Sequence, residues 1–264
     1  MLFAENDRCQ YARPQLMETI CQLRFPTILS IGSTDPAPFQ EAIRHDFPKY
    51  NPQQEQQPPK VTGMGTPNAK LEQQPPVMNY NFISEDGAWK VNLTKDFVAL
   101  STLRYTRWED FAARLDKMLA QFIQIYQPNF FERIGLRYVN AFSRQRLGLT
   151  DDLWDDLINA PFIGMLDQPD VKESAVSKNA LDVEMSLAEN HRMKLHAGPG
   201  LIGGGKQDPE PKFILDGDFS VSGKQVAPDQ VPAELTELHE YAQRMFNAAI
   251  TKELHEAMGP SELA

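Results

Sequence analysis

The chain has 264 residues, 41% hydrophobic and 23% charged, which is typical of a globular protein that folds without a metal or a disulfide. Its formal net charge of -10 disfavours direct binding to nucleic acid or anionic lipid, which would repel it, and favours a partner with a basic surface. The only cysteines, Cys9 and Cys21, have no neighbouring metal-binding residues, so a disulfide framework and a zinc site are disfavoured and the reducing cytoplasm is the expected location.

The first half of the chain, residues 1–146, predicts an α+β unit. Alternating or apolar runs predict strands at residues 16–26, 80–84, 88–94, 97–102 and 131–142. A short helix after Asp35 and a long one at about 106–126, which opens on the capping-box pair Thr106 and Glu109, have apolar residues at helical spacing. The Gln- and Pro-rich residues 51–76 predict a flexible loop, because they cannot offset their ordering entropy by burial.

The second half, residues 147–264, repeats this plan. A short acidic helix at 150–158, capped by Thr150, begins it. The predicted strands are residues 180–189, 191–197 and 211–223. A long amphipathic helix from Val231 closes the chain, and its inward apolar stripe extends to Leu254.

Strands followed by a helix in each half predict an α+β fold with antiparallel sheets, each covered by a long amphipathic helix, and with the two halves packed as one unit. Asp96-Phe97 in the first half aligns with Asp218-Phe219 in the second. This match is consistent with an ancient duplication or with shared strand-turn chemistry alone.

The string GPGLIGGGKQ, residues 198–207, has the glycine spacing of a phosphate-binding loop. Both dinucleotide and Walker A loops need a helix directly afterwards, because the helix N-terminus holds the phosphates. Here QDPEPKFIL leads through a turn into a strand, and Gln207 stands where a Ser or Thr would bind magnesium. We therefore interpret the string as a flexible hairpin loop and expect no cofactor.

No catalytic or metal-binding constellation can be recognised in the sequence. His191 and His196 fall on opposite faces of one strand, and His239 and His255 are far apart on the last helix. The acidic string TDDLWDDL suggests a metal or a basic ligand, although the macrodipole at a helix N-terminus explains the carboxylates adequately. The sequence thus predicts no catalytic residue and no metal, and it favours a protein that is not an enzyme.

The strand FERIGLRYVNAF, residues 131–142, is predicted to bury one face and to expose a basic one. The buried face holds Ile134, Leu136 and Tyr138, and the other face holds Phe131, Arg133, Gly135, Arg137 and Val139. Two arginines beside a glycine can bind a carboxylate or phosphate, or they can pair with carboxylates of this acidic chain or of a partner. The candidate ligand-binding residues are Arg133, Arg137 and, on the glycine-rich loop, Lys206.

Several aromatic residues and one motif resemble a sporadically distributed family of uncharacterised bacterial proteins. They are Tyr11, Pro14, Tyr105, Trp108, Phe111 and the stretch RIGLRYVN at 133–140. The likeness covers almost the whole chain and is specific mainly in RIGLRYVN. The family has no assigned catalytic residues, so the resemblance implies none, whereas its patchy occurrence implies mobile toxin-antitoxin, immunity or antiviral-defence modules.

These observations predict a cytoplasmic, non-enzymatic protein that binds another protein as an antitoxin-like, immunity or defence subunit. Nucleic acid would be contacted only through that partner, and no membrane is expected because no run of about 20 apolar residues occurs. The alternative is a small-anion or nucleotide sensor that uses Arg133 and Arg137. An enzyme whose acid and base are far apart in sequence is a further alternative.

Overall fold

A computed structural model describes residue 3 and residues 8–56, 59–62, 70–202 and 208–262. Its main element is a nine-stranded sheet in which all described neighbouring strands pair antiparallel. The strands of this sheet are β2 (Leu16–Arg24), β3 (Lys49–Glu55), β6 (Val77–Ile83), β7 (Trp89–Leu93), β8 (Phe97–Thr102), β9 (Phe131–Phe142), β10 (Leu181–Ser186), β11 (His191–Gly200) and β12 (Lys212–Val226). Two further pairs are β1 (Cys9–Tyr11) with β13 (Pro260–Glu262) and β4 (Lys60–Thr62) with β5 (Lys70–Glu72).

Two long helices accompany the sheet. They are α3 (Trp108–Tyr126) and α6 (Val231–Ala249). The shorter described helices are α1 (Leu29–Ser33), α2 (Ala37–Ile43), α4 (Arg144–Leu147), α5 (Trp154–Leu157) and α7 (Lys252–Ala257). Helix α6 contacts β9 and β12. Helix α3 packs through aromatic rings, and the ring centroid of Phe111 lies 5.8 Å from that of Trp89 of β7.

Helices together with antiparallel strands confirm the predicted α+β class. Among the described residues, no helix combines the length and apolar character that crossing a bilayer requires.

Both halves of the chain contribute strands to the same sheet. The spatial order is β10-β11-β12-β9-β2-β8-β7-β6-β3, so β9 lies between β12 of the second half and β2 of the first. Where the sequence predicted a sheet for each half, the structure joins the two groups of strands through the β9–β12 pair. The boundary between residues 146 and 147 and the duplication stay predictions.

Parts of the predicted loop 51–76 form the strands β3, β4 and β5, whereas residues 57–58 and 63–69 lie outside the described residues. Residues 51–55 belong to β3, which pairs with β6 from Lys49 opposite Ile83 to Glu55 opposite Val77. The prediction was wrong here because it considered only side-chain burial, whereas the edge of β6 offers backbone hydrogen bonds to any sequence. Pro52 is tolerated because β3 is the outermost strand, where a missing donor costs little.

The predicted final helix is two helices. Helix α6 ends at Ala249, Ile250 is extended, and the side chain of Thr251 caps α7 by accepting a hydrogen bond from the Leu254 backbone. The break has a tertiary cause. Asn159 donates from its backbone to Ala249 and from its side-chain amide to Ala248 and Ile250, which replaces helical hydrogen bonds at this point.

Neither of the two predicted threonine caps forms in the part of the chain that the structure describes. Helix α5 begins only at Trp154, and its first turn is closed by the Asp156 carboxylate, which accepts from the Leu153 backbone, instead of by Thr150. At α3, the Thr106 hydroxyl bonds the carboxylate of Asp110, 3.0 Å away, in place of the predicted capping box with Glu109. The Asp156 carboxylate thus accepts a backbone N–H at the beginning of α5, whereas the Asp110 carboxylate accepts the hydroxyl of Thr106.

Candidate functional site

The structure places Arg133 and Arg137 on the sheet face predicted from the sequence, each paired with a carboxylate of β12. Arg133 Nη2 donates to both oxygens of Asp218 at 2.9 and 2.8 Å. Arg137 donates from Nε and Nη2 to the oxygens of Asp216 at 2.7 and 2.5 Å, and these hydrogen bonds raise its pKa. Internal carboxylates therefore occupy both guanidinium groups, which favours the pairing alternative over a ligand site.

Other charged residues of this face are paired across strands in the same way. Lys194 Nζ lies 2.6 Å from a Glu184 oxygen, and His196 Nδ1 lies 2.8 Å from an Asp182 oxygen. Phe131 is the exception to the predicted faces, since it is fully buried beside Phe25. The register of β9 with β12 shifts at this end, where Phe131 lies opposite the buried Val226. A face that neutralises its own charges is a poor site for a small anion.

Gly135→Ala is expected to disrupt the Arg133–Asp218 pair, because the new Cβ would overlap the Arg133 guanidinium, which lies across Gly135. Since this pair is partly exposed, its loss should lower the free energy of unfolding by about 1 kcal/mol in urea denaturation. The same substitution should cost less in an Asp218→Asn background. Equal costs in the two backgrounds would contradict the assignment.

The third candidate, Lys206, lies outside the described residues, as do residues 203–205 and 207 of the glycine-rich string. Gly198 and Gly200 lie in the last part of β11, and β12 begins at Lys212. The segment after the string therefore leads into a strand, as the sequence predicted, and not into the helix that a phosphate loop requires.

A cavity of about 520 Å³ lies on the helix-covered side of the sheet, between β1, the beginning of α3 and α6. Its aromatic lining residues are Tyr11, Tyr105, Trp108, Tyr138, Phe219 and Phe246. Its polar lining residues include Gln10, Asn140, His239, Gln243 and Asn247. The volume is within the range of about 300–1,000 Å³ found for small-molecule sites.

His239 is the central titratable residue of the cavity wall. Its ring stacks on Trp108 with centroids 4.5 Å apart and planes inclined by 8°. Its Nδ1 lies 2.9 Å from the Tyr138 hydroxyl, and the Tyr138 ring meets the Tyr105 ring edge-on with centroids 5.7 Å apart. Its Nε2 is buried and has no hydrogen-bond partner among the described residues. This arrangement fixes the orientation of the imidazole within the wall.

Burial favours the uncharged forms of His239, Tyr105 and Tyr138. Desolvation, helped by the charge of Arg8, lowers the pKa of His239 to about 4. Desolvation also raises the pKa of Tyr105 to about 12 and the pKa of Tyr138 well above its ordinary value. The aromatic wall therefore offers stacking surfaces and neutral hydrogen-bonding groups.

The charged residues that line the cavity are arginines. Arg8 and Arg107 line it, and no carboxylate does so among the described lining residues. Arg8 Nη1 pairs with Glu109 at 2.9 Å and Arg107 Nε with Asp110 at 3.0 Å, both as exposed pairs of the first turn of α3. Because exposed pairs are weak, both arginines can also contact an anionic ligand.

The sequence did not predict this site, although several residues that it singled out form part of the cavity wall. Tyr11, Pro14, Tyr105 and Trp108, which carry the family resemblance, line the cavity together with Tyr138 of the RIGLRYVN strand. His239 was considered only with His255, which instead bonds the Tyr11 hydroxyl at 2.8 Å. The sequence feature that could have located the cavity is the position of His239 in the apolar stripe of α6, directly after the buried Leu238.

No protein-family model, curated protein or solved structure matches this chain. The family resemblance stays a prediction. The function is therefore inferred from the geometry of the cavity and from the charges that surround it.

Proposed function

We propose that the protein is a small-molecule-binding protein whose ligand has a planar apolar body and an anionic group. The observation that carries this proposal is the cavity of about 520 Å³, with aromatic walls and with arginines as its charged lining residues. Aromatic rings stack on flat ligands, and guanidinium groups bond carboxylates, sulfonates and phosphates. The ligand would lie against Tyr138 and Phe219, with its anionic group near Arg8.

This proposal keeps the ligand class of the predicted small-anion sensor and changes its site. Arg137 and Tyr138 are neighbours in β9 and lie on opposite faces of the sheet, so the predicted site and the cavity are on opposite sides. Arg133 and Arg137 are engaged by Asp218 and Asp216, whereas the arginines of the cavity have only exposed partners. The cavity also supplies the apolar burial from which a small ligand gains most of its affinity.

Gln243→Trp should weaken ligand binding strongly, because Gln243 is a half-buried wall residue and an indole at this position would occupy part of the cavity. The probe is anilinonaphthalene sulfonate, whose fluorescence rises in an apolar site and whose shape matches the proposed ligand. We expect one equivalent to bind, and we expect Gln243→Trp to weaken binding at least about tenfold, or about 1.4 kcal/mol.

The matched control is Glu240→Trp, which adds the same side chain at an exposed position of the same helix. It should leave probe binding unchanged. Phenylnaphthylamine, which lacks the sulfonate, should bind more weakly than the sulfonate probe if the arginines contribute. Equal binding to the wild-type protein and Gln243→Trp would overturn the proposal.

Binding to another macromolecule, as an accessory, immunity or antitoxin-like subunit in the cytoplasm, is the second candidate function. The net charge of -10 favours it, and the free thiols of Cys9 and Cys21 are compatible with a reducing compartment. Affinity purification from the native host at low ionic strength, followed by mass spectrometry, tests it. A basic protein in stoichiometric amount is the expected result, and recovery of this chain alone counts against it.

A further inference from the structure

We infer that His191, Glu234 and Glu237 form a binding site for a divalent transition-metal ion such as Zn²⁺. One ligand atom from each residue lies within 4.8 Å of the others. His191 Nε2 is 3.1 Å from Glu234 Oε2 and 3.5 Å from Glu237 Oε2. Zinc bonds of about 2.0–2.1 Å in tetrahedral geometry place neighbouring donor atoms roughly 3.3 Å apart, which matches this spacing.

The topology brings these residues together from distant parts of the chain. His191 is the first residue of β11 and lies on its buried side, whereas His196 lies on the exposed side, as the sequence predicted. Glu234 and Glu237 are one turn apart in α6 and therefore project from the same side of the helix. The sequence missed the cluster because it compared the histidines only with one another.

The buried donor atoms lack the hydrogen bonds that an ion pair would provide. The side chain of His191 is only 8% exposed, and its Nε2 has no hydrogen-bond partner among the described residues. The facing Oε2 of Glu234 is likewise buried and has no hydrogen-bond partner within the described chain, although the two atoms lie only 3.1 Å apart. A bound cation would satisfy both atoms at once.

Neighbouring residues hold each carboxylate so that its Oε2 faces His191. Lys224 Nζ lies 2.6 Å from Glu234 Oε1, and the Tyr241 hydroxyl donates to Glu237 Oε1 at 3.1 Å. Such outer contacts orient metal ligands in proteins. The positive charge of Lys224 repels a cation. The favourable free energy of cation binding therefore has to come from the two carboxylates and the imidazole.

The donor set indicates the class of metal. Imidazole nitrogen with carboxylate oxygen suits zinc and related transition metals better than Mg²⁺ or Ca²⁺, which prefer oxygen alone. A depression of about 480 Å³, lined in part by Glu237 and Tyr241, opens beside the cluster. Three protein ligands next to an open space leave a coordination position for water.

The test is calorimetric titration of the metal-free full chain with zinc chloride, with cobalt absorption as a second readout. The wild-type protein should bind one equivalent, and His191→Ala should lose that equivalent. Tyr241→Phe should keep the site and weaken it roughly tenfold. His196→Ala is the matched control, because it removes an exposed histidine of the same strand, and it should bind like the wild-type protein.

Glu237→Gln covers the case in which His191→Ala does not fold, because the side chain of Glu237 is 46% exposed and its replacement leaves the core intact. It should lose most of the zinc affinity while the unfolding temperature of the metal-free protein stays unchanged. Absence of one-equivalent binding by the wild-type protein, or equal binding by the wild-type protein, His191→Ala and Glu237→Gln, would overturn the inference. Neither result bears on probe binding in the cavity.

Discussion

Phe122→Ala is expected to lower the free energy of unfolding by about 4 kcal/mol. Phe122 lies in α3 and is fully buried. Its ring lies 4.9 Å from Phe25, which follows β2, 6.2 Å from Phe39 of α2, and 5.3 Å from Tyr126. Truncation leaves a cavity where the helix, the sheet and a second helix meet, so the surroundings cannot collapse into it.

Urea denaturation measures this effect, and two variants calibrate it. Phe122→Leu keeps most of the volume and removes the ring contacts, so we expect a loss of about 1.5 kcal/mol. Gln124→Ala changes an exposed position of the same helix and should cost less than about 0.5 kcal/mol. A loss below 1.5 kcal/mol for Phe122→Ala would show that α3 is not anchored through this ring.

Lys212→Met is expected to lower the free energy of unfolding by about 3 kcal/mol, because it leaves the buried Glu210 carboxylate without its cation. The side chains of Lys212 and Glu210 are each only 8% exposed, with Nζ 3.4 Å from Oε2. Lys212 also pairs with Asp208. The Ser143 hydroxyl and the Gln145 backbone donate to Glu210 at 2.6 and 2.9 Å, at the beginning of α4. The pair therefore joins α4 to β12.

The effect of Lys212→Met should depend on pH. Burial by itself raises the pKa of Glu210, but its hydrogen bonds and the charge of Lys212 outweigh burial and lower that pKa. The carboxylate thus contributes stability above its unfolded pKa of about 4.3, and this contribution is lost as the pH falls through the lower folded pKa. The deficit of Lys212→Met should be full at neutral pH and smaller in acid.

Two variants separate charge burial from packing. Glu210→Gln in the Lys212→Met background should recover part of the loss, because a neutral amide replaces the unpaired carboxylate. Lys194→Met breaks an exposed pair with Glu184 and should cost less than about 1 kcal/mol. A deficit for Lys212→Met that is equal at neutral and acidic pH would contradict the role assigned to Glu210.

Elements with strong local signals were predictable from the sequence. The apolar spacing that predicted a helix at 106–126 matches α3, and the beginning of α6 at Val231 was located correctly. The hairpin at Asp86-Gly87 was also correct, with Gly87 in the left-handed conformation that such a turn requires. In these cases local periodicity or turn chemistry agrees with the final packing.

Features that depend on distant contacts were not predictable. The strand β3 exists because the edge of β6 pairs with it, and α6 ends where Asn159 takes over its hydrogen bonds. The two candidate sites could not be predicted from the sequence for the same reason. The cavity combines β1, α3, β9 and α6, and the metal-ligand cluster combines β11 with α6, and neither set has a fixed spacing in the sequence.

The position of β9 has a consequence for biosynthesis. Its partner β2 precedes it in the chain and is already synthesised when β9 emerges from the ribosome, whereas its other partner, β12, begins only at Lys212 and is translated afterwards. Until then one edge of β9 presents unpaired backbone groups, and a nascent chain in this state can be captured by another strand. Strand β12 covers that edge and helix α6 packs on the apolar face of β9, so synthesis of these two neighbouring elements removes the hazard.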